Sequence, residues 1–247
     1  MRMKRIYLSP SNQPANRYVG IPTNEKVEME VLASKVKAIL DEEYDCETVV
    51  ATKELSIDAH GRPQEARGKG CDIYLALHSN AGGGGKASGA VAFHHPDHAD
   101  GQELARNIVK ELNAVCPIPS NRGTSVKNGM ALYEGYGLAE IRNPFRLSMV
   151  PVLAEVDFHD NPRTAKWIVE NKDVIAKAFV NALVRTYRIP AKAAREEKFR
   201  SYYFVQAGAF SQKENAEDLA RRLRAAGFEG YVKLEKVDLL TGKGFLA

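Results

Sequence analysis

The chain reads as an α/β protein built on a largely parallel sheet, followed by a small second unit. Three observations predict this. Short strand-like runs alternate with longer helical patterns from residue 5 to about 188. One of those strands, "CDIYLALHS", runs apolar into a histidine and then into "NAGGGG", the strand-end and glycine-loop pattern where open α/β sheets place their ligands. After a charge-alternating segment at 189–201, "IPAKAAREEKFRS", the pattern restarts with a fresh strand and helix.

The elements follow in order. "RIYLS" is a strand. "NEKVEMEVLASKVKAILDEE" is a helix with Met29, Leu32, Val36, Ile39 and Leu40 on one face. "CETVVAT", "CDIYLALHS" and "GAVAFHH" are strands, and "ADGQELARNIVKELNAV" is a helix with Leu104, Ile108 and Leu112 in register. "VPVLAEVDF" is a strand, and "TAKWIVENKDVIAKAFVNALVRTY" supplies one or two closing helices. In the second unit "YYFVQAGAF" is a strand. Ser211 and Glu214 have capping-box spacing, and Ala216, Leu219 and Leu223 mark the inner face of a helix that ends at Gly227. "GYVKLEKVDLL" is a second strand or hairpin arm. A βαβ unit of this size is small for an independent core.

Length and composition set bounds. The 247 residues suffice for one large domain, or one plus a small one. A net charge of +4 suits an anionic polymer but is too weak to argue for nucleic acid. No apolar run approaches the ~18 residues of a membrane span. The start, "MRMKRIYLSPSN", reads as a short strand and not a signal peptide, so the expectation is a chain made in the cytoplasm that reaches outside by another route. Cys46, Cys71 and Cys116 lack zinc-ligand spacing and read as small core residues.

Three side chains fall where an α/β site should be. His78 ends a strand. Glu155 sits between Val152, Leu153, Ala154, Val156 and Phe158, where a carboxylate is costly to bury unless it is paired or meets a cation. Glu25 opens the first helix on the same stripe as Met29 and Leu32. Histidine and glutamate are zinc ligands, and a further carboxylate can serve as general base, so the trio suits metal-assisted hydrolysis. Three unrelated polar residues at sheet edges would give the same spacing. The cluster "HHPDH" (His94, His95, His98) reads as an exposed loop after a strand, and His159 as a turn or supporting residue.

These stretches resemble one family. "LALHSNAGGGG" is similar to the His-x-Asn motif of the type 3 zinc-dependent N-acetylmuramoyl-L-alanine amidases. "VLAEVDFHDNP", "TNEKVEMEVLASKV" and "SNRGTSVKNG" resemble that family's glutamate strand, its Glu-Lys helix start and its Arg-Gly segment, in the same order. The resemblance covers residues 5 to about 188. It implies a twisted sheet flanked by helices and cleavage of the amide between muramic acid and L-alanine in peptidoglycan. It also implies Zn2+ held by Glu25 and His78, with Glu155 as the catalytic base. Asn80, Arg122 and Arg142 become candidates for substrate contact, the arginines through stem-peptide carboxylates. Asn80 closing its own turn is an equal reading. The family's first zinc-binding histidine is missing: alignment on Pro10 places Asn12 there, with the longer Gln13 beside it as the expected third ligand. Loss of the metal, leaving a peptidoglycan-binding protein on an amidase fold, is the alternative, and a zinc peptidase acting on another amide is a third.

The tail "YYFVQAGAFSQKENAEDLARRLRAAGFEGYVKLE" is similar to SPOR repeats, which bind peptidoglycan glycan strands, but lacks their second helix. The expected organisation is a catalytic domain at 1–188, a linker at 189–201 and a partial SPOR-like unit at 202–247. The expected role is lysis or remodelling of the cell wall after release, as in an endolysin.

Overall fold

The structure, a computed structural model, describes residues 3–123, 125–192, 207–228, 232–233, 235–237 and 244–246, the last two segments by their backbone. The chain divides into two compact units, Met1–Arg195 and Glu196–Ala247.

In the first unit the strands are β1 (Lys4–Pro10), β2 (Cys46–Val50), β3 (Ile73–Asn80), β4 (Val91–His94), β5 (Val126–Asn128) and β6 (Val150–Phe158). They form one sheet in the order β2-β1-β3-β6-β4-β5. β2, β1, β3 and β6 are parallel, whereas β4 runs antiparallel to β6 and carries β5 parallel to itself. The predicted α/β class with a mostly parallel sheet is what the chain adopts. The reversed β4 and the three-residue β5 were not expected.

Alternation along the strands separates two cores. Ile6 and Leu8, Ile73, Leu75 and Leu77, and Val152 and Ala154 point to one face, fully buried. That face is covered by α1 (Glu25–Glu43), α3 (Ala99–Val115) and α6 (Lys172–Tyr187), which brings Met29, Leu32, Ile108 and Phe179 into a single apolar cluster. Tyr7, Tyr74, Ala76 and Leu153 point the other way, into a smaller cluster with Ala66 of α2 (Arg62–Gly68) and Ile141 of α4 (Ala139–Arg146). α2 and α4 were absent from the sequence reading. Each is under nine residues long, too short for periodicity to announce.

Caps fix the ends that matter. Asn24 accepts from the Val27 N–H at 3.1 Å and starts α1 where the sequence placed it. The closing pattern splits into α5 (Pro162–Glu170) and α6 at Asn171. At that junction Lys172 is buried, 2.6 Å from Glu28 and donating to Ile168 O, and it locks the first turn of α1 against the α5–α6 corner. The expected linker does not begin freely at 189. Ile189 is buried, Pro190 O accepts from Asp45 N, and Lys192 N donates to Glu43 O, so residues 189–192 belong to the first unit.

The second unit contains α7 (Lys213–Ala225) and an antiparallel hairpin of β7 (Glu235–Val237) with β8 (Gly244–Leu246). The helix begins at Lys213 after Gln212, without a side-chain cap, so the Ser211–Glu214 capping box is not formed. Ala216, Leu219 and Leu223 are its half-buried stripe, beside buried Ala220. It ends at Gly227, whose φ of +87° is the left-handed conformation that closes a helix. Of the expected strand at 202–210, residues 202–206 lie outside the described residues, and 207–210 are not in a strand.

Candidate metal centre and active site

β3 and β6 build the floor. Their parallel register sets His78 opposite Glu155. One step later the register shifts, so that Asn80 faces Phe158. Such a bulge bends the strand end away from its neighbour and re-aims what precedes it. Glu25 arrives from the N-terminus of α1, and Glu140 from the first turn of α4 on the Tyr74 face. Buried in the described structure, these carboxylates converge on a single imidazole.

His78 is 6% exposed and bridged at both nitrogens: Nδ1 lies 2.9 Å from Glu25 Oε1, and Nε2 lies 2.9 Å from Glu140 Oε2. Burial alone would favour the neutral ring. The hydrogen bonds to Glu140 and Glu25, with the nearby charge of Glu155, outweigh it and hold the imidazole well above the ordinary histidine range. Glu25 and Glu140 respond in kind. Burial would raise both, but the bonds to His78 and to neighbouring donors leave both below the usual range. For Glu25 those donors include Asn16 Nδ2 at 2.5 Å to Oε2 and Ser79 N at 3.2 Å to Oε1.

Glu155 differs. Its Oε2 is shut off from solvent and has no hydrogen-bond partner among the described residues. Burial pushes the carboxyl up to about 7; the attraction of His78 is offset by Glu25 and Glu140. Donor atoms of Glu25, His78 and Glu155 all lie within 4.8 Å of one another. A buried carboxylate oxygen with nothing to bind, beside a second carboxylate and an imidazole nitrogen, is an arrangement that a divalent cation would complete. The imidazole and carboxylate donors are those zinc prefers, so the residues present fit that ion.

Gln13 reaches the same place. Its Nε2 is 3.4 Å from His78 Nδ1, and its Oε1 accepts from Asn16. Asn12, one residue earlier, is half-buried. Behind the centre, His159 is 4% exposed and supports the β3 end: Nδ1 lies 3.0 Å from Ser79 Oγ, and the ring stacks on Tyr18. The glycine loop is pinned by Asp160, whose Oδ2 accepts from the N–H groups of Gly82 and Gly83. A Cβ on Gly83 would lie 2.0 Å from that of Ala87, so only glycine permits this fold-back.

Other candidates are placed differently. Asn80 Oδ1 accepts from Ala81 N, closing its own turn. Arg122 is exposed, bonded to Asn121 and lying over the Phe158 ring. Arg142 is buried: it donates to Tyr136 O and Gly137 O and stacks on Tyr136, holding the turn before α4. His94 and His95 correct the expectation of an exposed loop. Both are buried, His94 Nδ1 meets the His95 carbonyl, and His95 stacks on Phe145 at 3.4 Å. Cys46 and Cys71 are buried, as small core residues, and Cys116 is half-buried.

Sequence reasoning missed Glu140, Asn16, Ser9 and Tyr74. Tyr74 could have been found, since it shares the β3 face with His78 four residues on. Glu140, in "LAEIRNPF", carries no pattern that separates it from a surface glutamate.

Comparison with known proteins fits this geometry. Residues 14–185 match the N-acetylmuramoyl-L-alanine amidase family (Amidase_3), and residues 200–245 match the SPOR domain. The chain is 26% identical over 237 residues to N-acetylmuramoyl-L-alanine amidase CwlM of Bacillus licheniformis, covering 93% of this chain and 85% of that one. It is 23% identical over 238 residues to the sporulation-specific N-acetylmuramoyl-L-alanine amidase of Bacillus subtilis (strain 168), covering 94% and 86%. Among solved structures, the catalytic domain of CwlV from Bacillus (Paenibacillus) polymyxa var. colistinus superposes with a TM-score of 0.63 at 16% identity, covering 76% of this chain and all of that domain. An amidase from Clostridium difficile 630 gives 0.61 at 19% identity, with 75% and 97% covered. Among the described residues no helix is long and apolar enough to cross a membrane.

Proposed function

This chain belongs to the N-acetylmuramoyl-L-alanine amidase family, and from that premise we propose that it hydrolyses the muramic acid–L-alanine amide of peptidoglycan with Glu155 as general base beside a zinc held by Glu25, His78 and Gln13. The observation that carries the reading is the unpartnered, buried Oε2 of Glu155 facing His78 and Glu25.

When bound, zinc supplies Lewis-acid polarisation of the scissile carbonyl and acidification of water. The side chains do the rest. Asn16 and Ser79 N fix the Glu25 carboxylate. Glu155 accepts a proton from the water whose oxygen adds to the lactyl carbonyl carbon. It returns that proton to the alanine nitrogen as the C–N bond breaks, leaving a lactyl carboxylate and a free amine. Without the metal, burial pushes the Glu155 carboxyl up to about 7, and a base poised near neutrality can both take and return a proton. Asn80, the glycine loop and Arg122 border the groove in this reading.

The organisation we propose is a catalytic domain from the N-terminus through the residues docked at 189–192, then a SPOR-like unit at 202–247 that holds glycan strands and adds avidity. The work is done at the cell wall, in lysis or remodelling, after release from the cytoplasm.

A second reading has one observation in its favour. The three mutually close donors include Glu155, which would make it a ligand in place of Gln13. Purified sacculi and metal analysis decide. New N-terminal alanine should appear, and a chelator should abolish it. Glu155→Gln that still binds zinc but is inactive supports the base, whereas loss of zinc supports the ligand reading. A wild-type chain that takes up no zinc after reconstitution, with unchanged melting, overturns both in favour of a wall-binding protein.

A further inference from the structure

We infer that Glu140 is a positioning residue: it keeps a proton on Nε2 of His78 and fixes the ring, so that Nδ1, on the side of Glu25 and Gln13, is the nitrogen that takes the metal. This rests on the reading of His78 as a ligand.

Glu140 is 2% exposed, deep on the Tyr74 face of the sheet. Packing there calls for an apolar side chain, as its neighbour Ile141 shows. A buried carboxylate is instead retained, and both of its oxygens are committed. Oε2 faces His78 Nε2 at 2.9 Å. Oε1 accepts from the Ser9 hydroxyl at 2.5 Å and the Tyr74 hydroxyl at 2.9 Å. Ser9 is itself held, since its Oγ accepts from the guanidinium of Arg62, which also donates to Pro10 O at 2.5 Å and Leu55 O at 3.1 Å. Arg62, Ser9 and Tyr74 are all 2% exposed or less. The chain from Arg62 through Ser9 and Glu140 to His78 therefore links side chains with almost no access to water.

Two consequences follow. A carboxylate is an acceptor only, so without a metal each His78 nitrogen, one facing Glu140 and the other Glu25, carries a proton. A metal would take the place of one of these protons, and the Glu140 bond, with both carboxylate oxygens committed behind the ring, leaves Nδ1 as the nitrogen that gives it up, 2.9 Å from Glu25 and 3.4 Å from Gln13. The same bond fixes the ring plane and increases the ligand's basicity, which is how carboxylates behind metal-binding histidines act. Oε1, clamped by Ser9 and Tyr74, cannot swing the carboxylate away.

The test uses the full-length protein. Zinc affinity is measured by competition with a chromophoric chelator, and the His78 Nε2–H proton is followed by NMR in the zinc-loaded protein. Glu140→Leu should weaken zinc binding by roughly 10- to 100-fold, and the strongly deshielded Nε2–H signal of wild type should be lost. Glu140→Gln keeps a carbonyl acceptor, and should retain most of the affinity with the signal moved upfield. If Glu140→Leu does not fold, Glu140→Gln and Tyr74→Phe carry the test, the latter expected to weaken zinc a few-fold. Zinc affinity and Nε2–H signal both unchanged in the folded variants overturn the inference while leaving the site reading intact. Wild type that binds no zinc overturns the site reading instead.

Discussion

His78 and Glu155 stand opposite each other across the parallel ladder of β3 and β6, 77 positions apart in the chain yet on one face of the sheet. Parallel register is what brings them together, and the bulge that follows ends the regular pairing just beyond them. An imidazole fixed by carboxylates at both nitrogens thus lies beside a carboxylate oxygen that has no hydrogen-bond partner among the described residues. The asymmetry supports the proposed roles, with one group held and the other left to exchange a proton.

Glu155→Gln should lower turnover on sacculi by about 10²-fold or more, since the shape is kept and the base is lost. It should also raise the melting temperature of the metal-free protein at pH 8. A carboxyl whose folded value is about 7 is ionised there at a cost the unfolded chain does not bear. An active variant, or one that melts lower than wild type without metal, contradicts the assignment.

Gln13→His should tighten zinc binding, because a neutral amide is exchanged for an imidazole at a position whose side chain already lies 3.4 Å from His78 Nδ1. Isothermal titration against a buffered zinc series measures it. Equal or weaker binding would show that residue 13 does not face the metal.

Arg62→Met should destabilise the first unit by about 3 kcal/mol in urea, because Pro10 O and Leu55 O are left as buried acceptors without their donor. The loss should extend to zinc affinity, since Ser9 loses its anchor. Unchanged urea midpoints would mean that water replaces the guanidinium.

Glu65 supplies a pH dependence away from the site. Burial would raise its carboxyl, but Lys69, Thr52 and Tyr7 bond to it and hold it down to about 2. Because the folded value lies below the unfolded one, its contribution is complete above about pH 4.5 and is lost as pH falls toward 2. Glu65→Gln should therefore cost about 1–2 kcal/mol at pH 7, and the gap from wild type should close across that acid window in denaturation curves. A gap that stays constant with pH would show that its bonds do not depend on the charge.

Deleting residues 196–247 should leave the first unit folded and able to cleave a small soluble muropeptide, with weaker retention on sacculi. Cutting earlier, after 188, should destabilise it, because Ile189 is buried and Lys192 N is bonded to Glu43 O. Loss of muropeptide hydrolysis in the longer fragment would place the tail within the catalytic fold.

The residues alone determined the α/β class, the strands carrying His78 and Glu155, the helix that begins at Glu25, and the trio as a candidate for metal chemistry. Each follows from local pattern: alternation, helical spacing, and polar groups where apolar ones belong. Tertiary structure decided the rest. The reversal of β4, the burial of His94 and His95, and the inward turn of Arg142 depend on which segments pack together, and no local period encodes that. Glu140 is the clearest case. In sequence it is one glutamate among many; only the docking of the short helix α4 under the sheet removes it from water and sets its carboxylate 2.9 Å from His78. A charged side chain is ordinary at a surface and specific in a core, and the difference is made by what surrounds it in space.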